Sequence, residues 1–385
     1  MNFGIYLCSM AGIYIHIPFC KQKCHYCNFF SVASLKHREA FLEVLLKEIE
    51  LQKDYLEGQE IRTVYFGGGT PSLLSSGEIQ KIFDRLNRFF RIHPEAEITL
   101  EANPDDLDKN KLQEIKHLPV NRFSMGVQSF FDEDLHYLNR VHDAGQAERS
   151  IKLAQDTGFS NITIDLIYGI PSLTNEKWIT NLEKFFSLNL PHLSAYSLTV
   201  EDKTALRTLI NKKKLPDVKE EESIEHFKIL LNQMEAHSYV HYEISNFARE
   251  GYYSKHNSLY WMGGHYLGLG PSAHSYNGES RQWNHASMHK YLSLADYQET
   301  HFEKEILTTA QKFNEYVMTS LRTSWGCDLE HIENVFGRQA AGQCLQDAAA
   351  FLADNSLYKE NNKLYLTEKG KLLADGIASG LFTEE

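Results

Sequence analysis

Two hydrophobic periods alternate along the first two hundred residues. Short apolar runs predict strands at 14–17, ended by Pro18, and at 63–66, stopped by three glycines. Further strands are expected at 97–101, 122–128, 162–167 and 193–198. Between them the apolar positions shift to helical spacing. Phe41, Val44, Leu45 and Ile49 mark a helix within 35–53. Ser76 reads as the N-cap of a helix running to about residue 90, and Gly158 as the stop of a helix over 144–157. A further helix is expected over 176–188. Strand and helix alternate at least five times, which predicts a parallel sheet, open or closed into a barrel.

In such folds the chemistry gathers at the carboxyl ends of the strands. The polar residues obey that rule. Glycines follow Phe66, Glu101 and Gln128 end their strands, and Asp165 lies late in its own.

The pattern changes after about residue 220. A helix is expected over 224–234 and a strand over 237–247. Residues 255–276 are rich in glycine, histidine and aromatics. Beyond Thr308 the chain turns helical again, with a short strand near 363–367 and a final helix, a small helical unit with a β-wing. Four segments follow: an extension (1–12), the repeating unit (13–220), a linking region (221–300) and a C-terminal helical, winged-helix-like unit (301–385). That last unit suggests a DNA binder, but residues 306–385 hold 7 Lys and Arg against 11 Asp and Glu. A packing module is the better expectation.

Composition narrows the class. The chain has 385 residues, 42% hydrophobic and 23% charged, ordinary for a globular protein. Its net charge of −12 offers phosphate backbones no attractive field, so no nucleic-acid partner is expected. Lys212, Lys213 and Lys214 read as a solvated loop. No apolar run approaches the ~18 residues of a membrane span, and the start lacks a basic secretory leader. A cytoplasmic protein is expected. Six cysteines are too few for a disulfide framework, and three crowd into eight residues while Cys8, Cys327 and Cys344 stand apart.

Cys20, Cys24 and Cys27 place three soft thiolates on one tight loop after the first strand. They suit three corners of an iron–sulfur cubane, leaving one iron uncovered. A zinc site using His16 or His25 as fourth ligand is the competing reading. Position favours the cluster: the loop stands at the expected mouth, beside the glycine-rich Gly67-Gly68-Gly69-Thr70-Pro71.

Together these motifs resemble the radical S-adenosylmethionine superfamily, with its CxxxCxxC loop and a glycine-rich turn after the second strand. That resemblance implies an α/β fold: a partial parallel (β/α)6-type barrel with a smaller, mainly helical C-terminal domain. It also implies a [4Fe–4S] cluster on Cys20, Cys24 and Cys27, whose open iron takes S-adenosylmethionine. Tyr14-Ile-His-Ile-Pro-Phe-Cys20, Glu101-Ala-Asn-Pro104, Gly126-Val-Gln-Ser-Phe130, Leu138-Asn-Arg140 and Asp165-Leu-Ile-Tyr-Gly169 are similar to the oxygen-independent coproporphyrinogen dehydrogenase group. Carried over by position, the S-adenosylmethionine contacts fall on Tyr14, Tyr26, Gly68, Gly69, Thr70, Glu101, Gln128, Arg140 and Asp165.

Two branches of that group differ here. The dehydrogenase has a further cysteine two positions past the third, where this chain has Phe29. It also has a longer segment ahead of its first strand, where only 13 residues precede Tyr14. Both departures argue against oxidative decarboxylation of coproporphyrinogen. The heme-chaperone branch instead carries HNxxYW, present as His256-Asn257-Ser258-Leu259-Tyr260-Trp261. That resemblance implies heme binding at His256, Asn257, Tyr260 and Trp261, with delivery to apoproteins such as membrane-bound cytochromes. His265 and His274 are further candidate ligands. A reductase such as flavodoxin or ferredoxin, a homodimer, and transient membrane contact complete the expectations.

Overall fold

The computed structural model describes residues 11–293 and 302–384. Cys8, with residues 1–10 of the expected extension, lies outside the described residues.

Six strands alternate with helices as the hydrophobic pattern requires: β1 (Ala11–Ile17), β2 (Ile61–Gly68), β3 (Ile92–Ala102), β4 (Arg122–Gln128), β5 (Ile162–Tyr168) and β6 (His192–Ser197). Each pairs in parallel with the next, in chain order. The rest of the chain supplies β7 (Val240–Glu243), β8 (Asn246–Ala248), β9 (His265–Leu269), β10 (His274–Tyr276), β11 (Ser280–Asn284) and β12 (Phe302–Ile306). These extend both edges into one twelve-stranded sheet, β12-β11-β10-β9-β1-β2-β3-β4-β5-β6-β8-β7. The architecture is the expected α/β partial barrel with a mainly helical C-terminal unit. That unit adds β13 (Cys327–Asp328), β14 (Leu357–Glu360) and β15 (Lys363–Leu366) as a separate small sheet, with its own core around Phe313, Val317, Leu321, Ile332 and Leu364.

Strand alternation sorts the side chains. Ile13, Ile15 and Ile17 point to the helical layer and are fully buried. Tyr14 faces the other way, where it meets Tyr65, and Thr63 on that side meets His256. The concave face of the barrel is therefore polar and aromatic.

Two local expectations are corrected. Ser75, not Ser76, caps the helix Ser76–Phe89: its hydroxyl accepts from Glu78 N at 3.2 Å, and the Glu78 carboxylate accepts from Ser75 N at 2.7 Å. Ser75 already supplies the side-chain oxygen that the first turn needs. The strand expected over 237–247 is a tight antiparallel hairpin, β7 and β8, broken at residues 244–245. Within 255–276 lie a helix, Lys255–Trp261, and β9, which adds a seventh parallel strand beside β1. Gly268 in β9 is required by contact: a Cβ there would stand 2.1 Å from His274 O.

One buried carboxylate ties this added edge to the first helix, Arg38–Leu51. Glu48 accepts from Gly270 N at 2.8 Å, Asn284 Nδ2 at 2.5 Å and Tyr291 OH at 2.6 Å.

Candidate functional site

The cysteine loop leaves β1 at Pro18 and is clamped by backbone hydrogen bonds. Cys20 N donates to Val32 O at 3.0 Å and Val32 N to Pro18 O at 2.7 Å. His25 N donates to Leu138 O at 3.1 Å, and Leu206 N to His25 O at 2.8 Å. Asn139 ends the helix Asp132–Leu138 in left-handed backbone, φ 60°, and its amide donates to Lys23 O at 2.9 Å. The loop is thus fixed between β1 and the helix that follows β4.

All three thiols are half-buried and unpaired in disulfides. Burial pushes Cys20 and Cys27 up, and each also feels the charge of its neighbours in the loop. The Thr70 and Ser31 hydroxyls hydrogen-bond Cys20. Among the described residues, no three His, Cys, Asp or Glu side chains converge tightly enough to hold a single metal ion. His16 is otherwise engaged, through Nε2 to Phe30 O at 2.9 Å and Nδ1 to Tyr14 OH at 3.2 Å. His25 Nδ1 meets Tyr137 O at 3.0 Å.

The glycine turn after β2 is needed for close approach. Gly69 N donates to Ile17 O at 2.8 Å, and a Cβ on Gly69 would fall 2.6 Å from Phe19 O. Any side chain there would lift the cysteine loop off the sheet. Beside it, Thr70 is buried and its hydroxyl accepts from Asn103 Nδ2 at 3.1 Å.

Arg140 links the turn to the cysteines. Its Nη1 donates to Cys24 Sγ at 3.2 Å, and its Nη2 to Asn103 Oδ1 at 2.5 Å and Gly126 O at 2.8 Å. Its Nε is buried without a partner, and no carboxylate among the described residues pairs with it. A buried guanidinium with a spare donor is costly unless an anion completes it.

Two carboxyls face the same interior. Glu101 Oε1 accepts from Tyr65 OH at 2.8 Å. Burial pushes Glu101 up to about 7, with the Asp165 charge adding to the rise. Asp165 is pushed up to about 6, again by burial, although hydrogen bonds from Ser194 and Ser124 oppose this. Gln128, at the end of β4, holds left-handed backbone at φ 69°, rare for a residue with a side chain and concentrated at ligand sites. Tyr26 sits between the cysteines, where burial raises its hydroxyl and the Arg140 charge offsets part of that rise.

The structure therefore brings Cys20, Cys24, Cys27, Tyr26, Gly69, Thr70, Gln128 and Arg140 to one mouth, with Tyr14, Gly68, Glu101 and Asp165 on the adjoining wall. Residues that the sequence reading passed over complete it. Asn103 joins Thr70 to Arg140, and Tyr65 donates to Glu101. Thr63-x-Tyr65-x-Gly67 is itself an alternating polar set, the one signal that pointed to Tyr65.

The HNxxYW segment lies beneath that wall, on the helix Lys255–Trp261, with the His256 ring centroid 6.3 Å from that of Tyr14. His256 is 1% exposed. Its Nδ1 meets Thr63 Oγ1 at 2.8 Å and its Nε2 meets Tyr260 OH at 2.7 Å, while its backbone N donates to Glu97 Oε1 at 3.1 Å. The ring stacks on Tyr65, with centroids 5.1 Å apart. Burial, and then the Arg122 charge, push it down to about 3. Both nitrogens of the neutral imidazole are thus occupied. Asn257 and Trp261, half-buried on the neighbouring face, are the outward part of the segment. His265 is half-buried against Gln59, and His274 is exposed, stacked on Trp283.

Comparison with known proteins bears on the family and the fold. The family model for the radical SAM superfamily matches residues 14–185, and that for the HemN C-terminal domain matches 307–373. A Bacillus subtilis relative named heme chaperone HemW is 36% identical over 97% of this chain and 100% of its own length. A heme chaperone HemW from Mycobacterium tuberculosis is 32% identical, with 96% and 94% covered. Among solved structures, coproporphyrinogen III oxidase (HemN) from Escherichia coli superposes with a TM-score of 0.84 at 24% identity, covering 98% of this chain and 91% of that one. That likeness bears on the fold. With relatives matched end to end at this identity, the chain belongs to the HemW family of radical SAM proteins.

Proposed function

We propose that this protein is a heme chaperone, binding heme and passing it to heme-requiring apoproteins, on a scaffold that holds a [4Fe–4S] cluster and S-adenosylmethionine. The end-to-end match to relatives named heme chaperone carries the reading. Phe29, 65% exposed where the dehydrogenase has its extra cysteine, supports the chaperone branch over porphyrinogen chemistry.

The donor set suits both implied groups. Cys20, Cys24 and Cys27 would hold three irons, since thiolates are the ligands such clusters take. Arg140, with its unpartnered Nε, would take the carboxylate of S-adenosylmethionine. Glu101, Asp165 and Gln128 supply acceptors for ammonium or hydroxyl groups, Tyr14 and Tyr26 supply aromatic faces, and Gly68, Gly69 and Thr70 form the turn beneath. When bound, the cluster supplies an electron at low potential, delivered by a reductase such as flavodoxin or ferredoxin. The protein's own share is to orient the sulfonium ligand and keep water out.

Heme is assigned to the HNxxYW segment. Its outward residues, Asn257 and Trp261, are the first contact surface, and ligation by His256 requires exchange of its bonds to Thr63 and Tyr260. Among the described residues no helix is long and apolar enough to cross a membrane. Delivery to membrane-bound cytochromes is assigned to transient surface contact. A homodimer is part of the same proposal.

The test is anaerobic purification with iron, sulfide and heme quantified, then heme titration followed by transfer to an apocytochrome. Heme binding and transfer without vinyl-group formation from coproporphyrinogen is expected. No Soret band on titration, or turnover of coproporphyrinogen, would overturn the reading.

A further inference from the structure

A second site stands where the C-terminal unit meets the β7–β8 hairpin. Backbone bonds weld the two: Ile244 N donates to Arg322 O at 3.0 Å and Ser324 N to Tyr242 O at 2.9 Å. Between them is a cavity of about 120 Å³, lined by Lys371, Arg322, His241, Glu243, Tyr358 and Tyr365 among others. That is room for a carboxylate or an anion of similar size, and too little for a porphyrin ring.

The cations on its wall are incompletely paired. Lys371 is half-buried, and its Nζ donates to His241 Nδ1 at 2.9 Å. His241 donates through Nε2 to Ile244 O at 3.1 Å, so its Nδ1 is an acceptor and the ring is neutral. An ammonium has three donors, and here one is spent on an uncharged partner. No carboxylate among the described residues lies within ion-pair reach of Lys371. Arg322 spends Nη1 on Asp375, whose side chain is 86% exposed, while its Nε is buried with no partner. Glu243, also on the wall, accepts from Ser245 N and the Asn246 amide through Oε1.

The same arginine reaches toward the heme segment. Its guanidinium lies over the Trp261 ring, 5.5 Å from the centroid. Trp261 is half-buried, a flat apolar surface beside the arginine that lines the cavity.

We propose that this cavity is a carboxylate site, and that it takes a propionate of heme whose ring packs against Trp261. The second clause rests on the heme-chaperone reading; the first does not. Lys371 meets the carboxylate as a point charge and Arg322 as a fork, with the solvent-exposed Asp375 displaced. Tyr358 and Tyr365, stacked with centroids 5.1 Å apart, form the outer wall.

The test titrates full-length protein with heme, heme dimethyl ester and succinate, comparing wild type with Lys371→Met and Lys371→Arg. Thermal melts confirm that each variant folds. Heme is expected to bind wild type about tenfold or more tighter than the diester, and Lys371→Met should erase that difference while Lys371→Arg keeps most of it. Succinate should raise the melting temperature of wild type but not of Lys371→Met. Equal binding of heme and diester by wild type overturns the propionate assignment. If wild type binds no heme, the chaperone reading falls, and the succinate arm alone decides the cavity: protection lost in Lys371→Met supports the site, and no protection of wild type overturns it.

Discussion

Arg140 Nη1 stands 3.2 Å from Cys24 Sγ, and the same guanidinium keeps a buried Nε without a partner. One side chain thus touches the cysteine loop and waits for an anion. Arg140→Lys keeps the charge but loses the planar fork. We expect iron and sulfide content near wild type and S-adenosylmethionine binding weakened about tenfold or more, as read by anaerobic calorimetry. Undiminished binding would show that the carboxylate goes elsewhere.

The interior carboxyls set a pH dependence. Glu101 is raised by burial to about 7 from an ordinary carboxyl value. A raised carboxyl contributes stability that is full below its unfolded value and is lost as pH rises through about 7. Glu101 therefore contributes stability that grows as pH falls from 8 towards 5, against buried neutral imidazoles such as His256, which oppose it over the same range. Glu101→Gln should remove up to about 3 kcal/mol of that contribution across the window. Melts at intervals of pH, with and without the substitution, check the sign; parallel curves would remove Glu101 as the cause.

Much of this site was visible in the sequence because parallel strands deliver residues to a common rim. Glu101, Gln128 and Asp165 each sit late in an apolar run, so topology alone gathers them. What stayed hidden depends on contacts across the sheet. Asn103 looked like a turn residue, and only the folded chain shows it bridging Thr70 and Arg140. The strand β9 was concealed by its glycines, whose purpose shows only when Gly268 is seen pressed against His274. That His256 is buried stayed hidden because a motif carries no information about which face of its helix is covered.

Glu48 offers a test of how the added edge is held. Its carboxylate serves Gly270, Asn284 and Tyr291 from within the core. Glu48→Leu keeps comparable volume and leaves three buried donors unmet. We expect a loss of about 3 kcal/mol or more in chemical unfolding, with iron content falling only as far as the protein unfolds. A loss below about 1 kcal/mol would mean that water reaches these donors freely.

Gly69 should respond differently from Gly77, although both become alanine with one methyl. A Cβ at Gly69 meets Phe19 O at 2.6 Å, whereas nothing lies within 4 Å of one at Gly77. Gly77→Ala lies in a helix and should stabilise slightly, by about 0.5–1 kcal/mol. Gly69→Ala must push the cysteine loop outward, so reconstituted iron should fall well below wild type while the C-terminal core is unaffected. Equal iron loading in the two variants would show that the loop tolerates the displacement.

The occupied nitrogens of His256 separate structural from ligand roles. His256→Ala strands Thr63 and Tyr260 and opens space beneath the stacked Tyr65 ring, so heme-free protein should lose about 2–4 kcal/mol. Asn257→Ala, on the outward face, should cost under about 1 kcal/mol. If His256 also ligates heme iron, the wild-type Soret and charge-transfer bands should carry an imidazole signature that His256→Ala loses and added imidazole restores. If the bands persist in folded His256→Ala, the imidazole is a pin between the barrel and its closing helix, and the iron takes its ligand from elsewhere, with exposed His274 the first to substitute.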